Sequence, residues 1–157
     1  MLITTPEMSI DKDINQRKFR NEYQRAAINL IYTYNWTNEQ MKQMFDQYDI
    51  TPQQFNILRI LRGAGEPLST LQIRQRMLDK MSDTSRIVDR LIKKALVRKM
   101  TCKADRRLVD VTISDKGLKL LEKMDRHEND MDGVFKNLSE AEAKTLNKLL
   151  DKVRKSE

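Results

Sequence analysis

Apolar residues return at helical spacing from Phe19 through Tyr23, Ala26, Ala27, Leu30, Ile31 and Tyr34, which predicts an amphipathic helix with one continuous stripe. Asn35-Trp36-Thr37-Asn38 interrupts the pattern. Thr37 with Gln40 can form a capping box for Met41, Met44, Phe45 and Tyr48, so the segment allows either one bent helix or two. Three further helix starts follow. Thr51-Pro52-Gln53-Gln54 joins a capping box to a proline at the first helical position, with Ile50 placed to staple Phe55; Leu58 and Leu61 continue the apolar face, and Gly63 is the expected stop. Ser69-Thr70-Leu71-Gln72 repeats the box, with Leu68 placed to staple Ile73 and the face running on to Met77. Ser82 reads as a bare N-cap for a helix bearing Ile87, Val88, Leu91 and Ile92, with Asp83 in its first turn.

The period then drops to two. Val109, Val111 and Ile113 alternate with Leu108, Asp110 and Thr112, which predicts a strand, and Leu96 to Thr101 is long enough to pair with it. Cys102 to Arg107 would form the hairpin tip. Ser114 starts a helix carrying Leu118, Leu121, Met124 and Met131. Ser139-Glu140-Ala141-Glu142 is a last capping box, ahead of Leu146, Leu149, Leu150 and Val153.

The predicted fold is mainly α with a small antiparallel β-hairpin. Two short helices, 69–78 and 82–94, are joined by a turn of about four residues and followed at once by a hairpin at 96–113. This is the grammar of a winged helix-turn-helix, in which the second helix fits a major groove about 12 Å wide. The whole chain, 1–157, reads as a single domain with its winged core at 51–114. Segments 11–48 and 115–155 exceed what is needed to cover so small a core, and spare apolar surface of that kind calls for a second subunit.

Charge sharpens this picture. The formal net charge is +7, and all the excess lies in the middle. Residues 1–50 carry 6 basic and 7 acidic side chains, 115–157 carry 10 of each, and 51–114 carry 14 against 6. A cationic centre between neutral flanks is the footprint of a polyanion-binding unit. No apolar run approaches the roughly 20 residues of a membrane span. The first ten residues lack the features of a signal peptide. A single cysteine excludes an internal disulfide. The expected location is the cytoplasm.

In this setting Arg86-Ile87-Val88-Asp89-Arg90-Leu91-Ile92-Lys93-Lys94-Ala95-Leu96-Val97, followed by Asp105-Arg106-Arg107-Leu108-Val109-Asp110-Val111-Thr112-Ile113-Ser114-Asp115-Lys116-Gly117, resembles the MarR (multiple antibiotic resistance regulator) family. The second stretch follows that family's wing pattern, with Ile113 for leucine and Ser114 for threonine. The resemblance implies a homodimeric, sequence-specific regulator of transcription, in the usual case a repressor. It would bind a pseudo-palindromic operator in double-stranded DNA and be released by a small aromatic or lipophilic effector. Ser82, Asp83, Thr84, Ser85, Arg86, Arg90 and Lys93 would meet DNA from the recognition helix, and Lys103, Arg106 and Arg107 from the wing. Asp89 would pair with Arg107 and, with Asp105, buttress the wing. Tyr34 and Trp36 are the candidates for lining an effector pocket. Where the family usually has glycine after the recognition helix, this chain has Ala95, which would bear a penalty of about 1 kcal/mol in a left-handed cap.

The alternative reading is a winged-helix module that binds protein without DNA specificity; the cationic middle argues against it. No nucleophile–base pair or paired acid is recognisable, so no enzyme and no cofactor is expected. His127, near Glu128 and Asp130, is a poor metal site. Cys102 has cations nearby but reads as incidental rather than redox-active. Gly63-Ala64-Gly65 lacks the ending of a phosphate loop and reads as a turn.

Overall fold

The computed structural model describes residues 8–101, 109–127 and 132–155. Two compact units divide the chain, Met1–Lys42 and Gln43–Glu157.

The first unit holds a short helix, α1 (Ile10–Asp13), and most of α2 (Glu22–Gln47). Helix α2 runs unbroken through Asn35 to Asn38, which decides for one helix over two. Thr37 caps nothing; its hydroxyl donates to the carbonyl of Thr33 one turn back, at 2.8 Å. Phe19 lies ahead of the helix rather than in it, with the Arg25 guanidinium 5.7 Å from its ring centroid. Arg25 also pairs with Asp11 at 3.0 Å, tying α2 to α1.

The second unit opens with α3 (Pro52–Ala64), whose capping box forms as the sequence dictates: Thr51 accepts from Gln54 N–H and the Gln54 side chain accepts from Thr51 N–H. The helix overruns Gly63 and stops at Gly65, which takes the left-handed conformation at φ 67°. Helix α4 (Thr70–Arg76) starts from the same kind of box at Ser69. Then come α5 (Thr84–Lys93), β2 (Val97–Thr101), β3 (Val109–Ile113), α6 (Asp115–Asp125), a 3₁₀ turn at Gly133–Phe135 and α7 (Glu140–Val153).

The sheet has three strands, not the two expected. Leu68–Ser69 forms β1 and pairs antiparallel with β3, giving the order β1-β3-β2. Two residues are too few to show a period, but Leu68 opposite Val111 places two buried side chains together. The β2–β3 register, Val97 with Ile113 through Thr101 with Val109, matches the predicted ribbon. Ile57, Leu58 and Leu61 of α3, Ile73 of α4, Val88 and Leu91 of α5, Val111 of β3, and Leu121 and Met124 of α6 form a core that is almost wholly inaccessible.

The end of α5 resolves the question raised by Ala95. Ala95 N–H donates to Ile92 at 2.8 Å and Leu96 N–H to Leu91 at 3.0 Å, the paired bonds of a Schellman motif. Ala95 occupies the left-handed position at φ 58°, so the helix ends as a glycine would end it. Ala95→Gly is therefore expected to raise stability by about 0.5–1 kcal/mol, the relief of left-handed strain outweighing the added freedom of the unfolded chain. Urea denaturation of the two proteins measures this; an unchanged or lowered midpoint would show that Ala95 bears no strain.

Candidate nucleic-acid interface

Helix α5 is held on one face and presents the other. Thr84, Val88 and Leu91 are buried and Ile87 and Ile92 half-buried, while Ser85, Arg86, Asp89, Arg90 and Lys93 are exposed. Arg86, Arg90 and Lys93 fall at i, i+4 and i+7, one stripe about 10 Å long. None of the three forms an ion pair with another described residue. Three cations aligned on the outer face of an anchored helix, with no ion pair among the described residues, are the charge pattern that a polyanion favours.

The start of α5 differs from the sequence expectation by one residue. Asp83, not Ser82, is the N-cap, and its carboxylate accepts from Arg86 N–H at 3.2 Å. Ser82 serves the preceding turn, donating from its hydroxyl to Asp79 at 2.7 Å. Asp79 also accepts from Met81 N–H at 3.0 Å, and these donors, the Ser82 hydroxyl first, hold its carboxyl below the ordinary aspartate value. Asn56 of α3 accepts from Leu78 N–H at 2.9 Å and pins the same turn to the core. Carboxylate and amide together fix the crossing of α4 and α5 on a turn that has no glycine.

Thr84 is not where a base-reading residue must be. It is 4% exposed, and its hydroxyl has no partner among the described residues. Its position four residues before Val88 and seven before Leu91 puts it on the inward stripe, a signal already present in the sequence. Together with Ser82, Asp83 and Ser85 it lines a surface hollow of about 460 Å³ shared with Thr70 and Arg74 of α4. Arg74 at this edge is a cation the sequence reading did not single out.

Asp89 has a described partner, Lys99 of β2, at 2.8 Å. Val97 is buried against the core, so alternation along β2 places Lys99 on the same, helix-facing side, where Asp89 waits. The sequence reading missed this pair because it followed Asp89 only toward the wing tip. Cys102, Lys103, Asp105, Arg106 and Arg107 lie outside the described residues. Lys94, the C-cap residue of α5, is already engaged: its ammonium pairs with the Asp49 carboxylate at 3.1 Å and donates to the Asp49 carbonyl.

The remaining candidates divide similarly. Tyr34 is 63% exposed and Trp36 38% exposed on α2. The His127 ring lies 6.3 Å from that of Tyr48. No group of three metal-ligating side chains occurs among the described residues. None of the described helices is long and apolar enough to cross a membrane.

A helix-turn-helix with a three-stranded sheet and a cationic stripe that makes no ion pair among the described residues defines a winged DNA-binding module. Comparison with known proteins agrees. The model of the MarR family matches residues 48–108. The HTH-type transcriptional regulator PecS of Dickeya dadantii is 31% identical over 119 residues, covering 73% of this chain and 71% of that protein. The crystal structure of a MarR transcription factor from Planctomyces limnophilus shares 31% identity, with a TM-score of 0.65 over 85% of this chain and 98% of that one. A mutant MarR from E. coli, solved in complex with operator DNA, has the same fold at 23% identity, with a TM-score of 0.77 over 88% and 99% of the two chains. This chain belongs to the MarR family of transcriptional regulators.

Proposed function

We propose that this regulator is a homodimeric repressor that reads a pseudo-palindromic operator with α5, grips the flanking groove with its wing, and is released by a small effector. The observation that carries the reading is the aligned, unpaired stripe of Arg86, Arg90 and Lys93 on a helix whose opposite face is locked into the core. The family relative from E. coli was solved on operator DNA, and a similar protein of Pseudomonas putida, 29% identical over 141 residues, is named a transcriptional repressor. Lys103, Arg106 and Arg107 are assigned to the wing contact, Ser82, Asp83 and Ser85 to the edge of the helix contact, and Asp105 to the support of the wing. Tyr34 and Trp36 remain the effector candidates.

The dimer rests on apolar surface that a lone chain would leave wet. Leu30 (49% exposed) and Ile31 (63%) on α2, seven and eight residues after the exposed Tyr23, and Leu149 (56%) and Val153 (75%) on α7, four residues apart, recur at helical spacing. Sedimentation at micromolar concentration is expected to give twice the single-chain mass of 18.6 kDa. Footprinting is expected to show two half-sites with centres about 10 bp apart. A monomer with one asymmetric half-site would refute the two-fold reading, and binding indifferent to salt would favour the protein-interaction alternative.

Asp89→Asn tests how the wing is aimed. The substitution removes a negative charge near the DNA, so charge alone predicts tighter binding. It also releases Lys99 and the proposed link to Arg107. We expect operator binding to weaken about two- to fivefold, the scale of an exposed ion pair. Tighter binding at every salt concentration would remove Asp89 from the wing support.

A further inference from the structure

Two large apolar side chains stand in the open beside the start of α5. Met81, in the turn between α4 and α5, is 94% exposed, and Leu71, in the first turn of α4, is 64% exposed. Both line the hollow of about 460 Å³ at the N-terminus of α5. A lone exposed apolar residue is ordinary on a protein surface, but two on one hollow leave apolar area that a contact can cover. The turn gives Met81 no way to retreat. Its N–H donates to the Asp79 carboxylate at 3.0 Å, the Ser82 hydroxyl donates to the same carboxylate at 2.7 Å, and Asn56 holds Leu78 N–H at 2.9 Å. The backbone is thus fixed on both sides of the side chain.

What covers the hollow follows from where it opens. It adjoins Ser85 and Arg86 in the first turn of α5, the part of a recognition helix that meets base edges. Arg74, three residues after Leu71, is exposed on its rim. The carboxylate of the hollow, Asp83, is spent on Arg86 N–H as the N-cap of α5. An apolar patch framed by arginines suits a polyanion that also offers an apolar group. On the wall of the major groove thymine alone supplies one, its 5-methyl group.

We propose that Met81 and Leu71 determine specificity by enclosing the 5-methyl group of one thymine in each half-site. This rests on the reading of α5 as the recognition helix and adds to it a contact from outside that helix. The contact carries no charge and releases no counterion, so its contribution is the same at every salt concentration.

The test uses an operator duplex selected by the full-length protein from fragmented genomic DNA. Each thymine of a half-site is replaced in turn by deoxyuridine, which removes the methyl and keeps every hydrogen-bonding group. At one position the wild type is expected to bind about fourfold more weakly, the worth of one buried methyl-sized group, and by the same factor across a salt series. The Leu71→Ala/Met81→Ala double variant should bind the thymine and uracil duplexes alike, because nothing then reaches the methyl. Leu78→Ala, at a site equally bare (87% exposed) but not on the hollow, should keep the full preference. Binding of the double variant to scrambled duplex, retained at the wild-type level, verifies its fold. A uracil penalty that persists in the double variant belongs to DNA stiffness or to another side chain and would overturn the assignment. Salt-dependent operator binding that is indifferent to every methyl would overturn it alone, as for a patch that serves a second protein. A wild type that binds no duplex would overturn it together with the reading of α5.

Discussion

Replacing Gly117 by alanine is expected to destabilise the protein by about 3 kcal/mol, the upper range for overpacking a rigid site. A Cβ at position 117 would lie 2.3 Å from the carbonyl oxygen of Leu96 and 2.8 Å from Cγ1 of Ile113. The first contact is with backbone, which cannot rotate away. That carbonyl also accepts the Ser114 N–H at 3.0 Å, and the Ser114 hydroxyl donates to the Ala95 carbonyl at 2.8 Å. Helix α6 is therefore seated directly on the Schellman end of α5, and an added methyl must prise the two apart. The cap of α6 goes with them, because Gly117 N–H donates to the Ser114 hydroxyl at 3.1 Å. For a chain of this length the melting temperature should fall by roughly 6–12 °C. Gly63→Ala is the control. Its Cβ would meet nothing within 4 Å, so it should gain about 0.5–1 kcal/mol from helix propensity. A Gly117→Ala protein that melts with the wild type would refute the close approach of α6 to Leu96.

The second large effect concerns DNA and rests on the proposed reading of α5. Arg86→Ala is expected to lower affinity for the operator by about 1–3 kcal/mol, the range of a bidentate base contact, while leaving binding to random duplex nearly unchanged. Lys93→Ala should instead weaken binding to every sequence and flatten the salt slope by about one unit. The two residues lie on one stripe but about 10 Å apart along the helix, so only the N-terminal one sits where base edges are read. Fluorescence anisotropy against operator and scrambled duplex, across a salt series, separates the two effects. Equal losses on both duplexes for Arg86→Ala would reassign it to phosphate.

Local signals determined the outline of this protein. The capping boxes at Thr51, Ser69 and Ser139 start helices where the sequence placed them, because each box satisfies its own backbone donors within four residues. The helix periods around Val88 and Leu121 predicted buried faces, and the switch to period two at Val109 predicted the wing strand. The central charge excess and the motifs around Arg86 and Asp105 pointed to the family. Tertiary structure decided whatever depended on contacts distant in sequence. Leu68–Ser69 becomes a strand only because β3 offers an edge far along the chain, at Asp110 and Val111. Lys94 is held at the end of α5 because Asp49 lies beside it in space, 45 residues away in the chain. Asp89 meets Lys99 because the Schellman end of α5 folds β2 back along the helix. Ala95 accepts a left-handed backbone that its own preference opposes, because Leu91 and Leu96 are buried on either side of it and the chain must turn there. Composition and periodicity report what each segment can bury or bond by itself; a single sequence gives no measure of which distant partner will stand opposite, and the packed core supplies it.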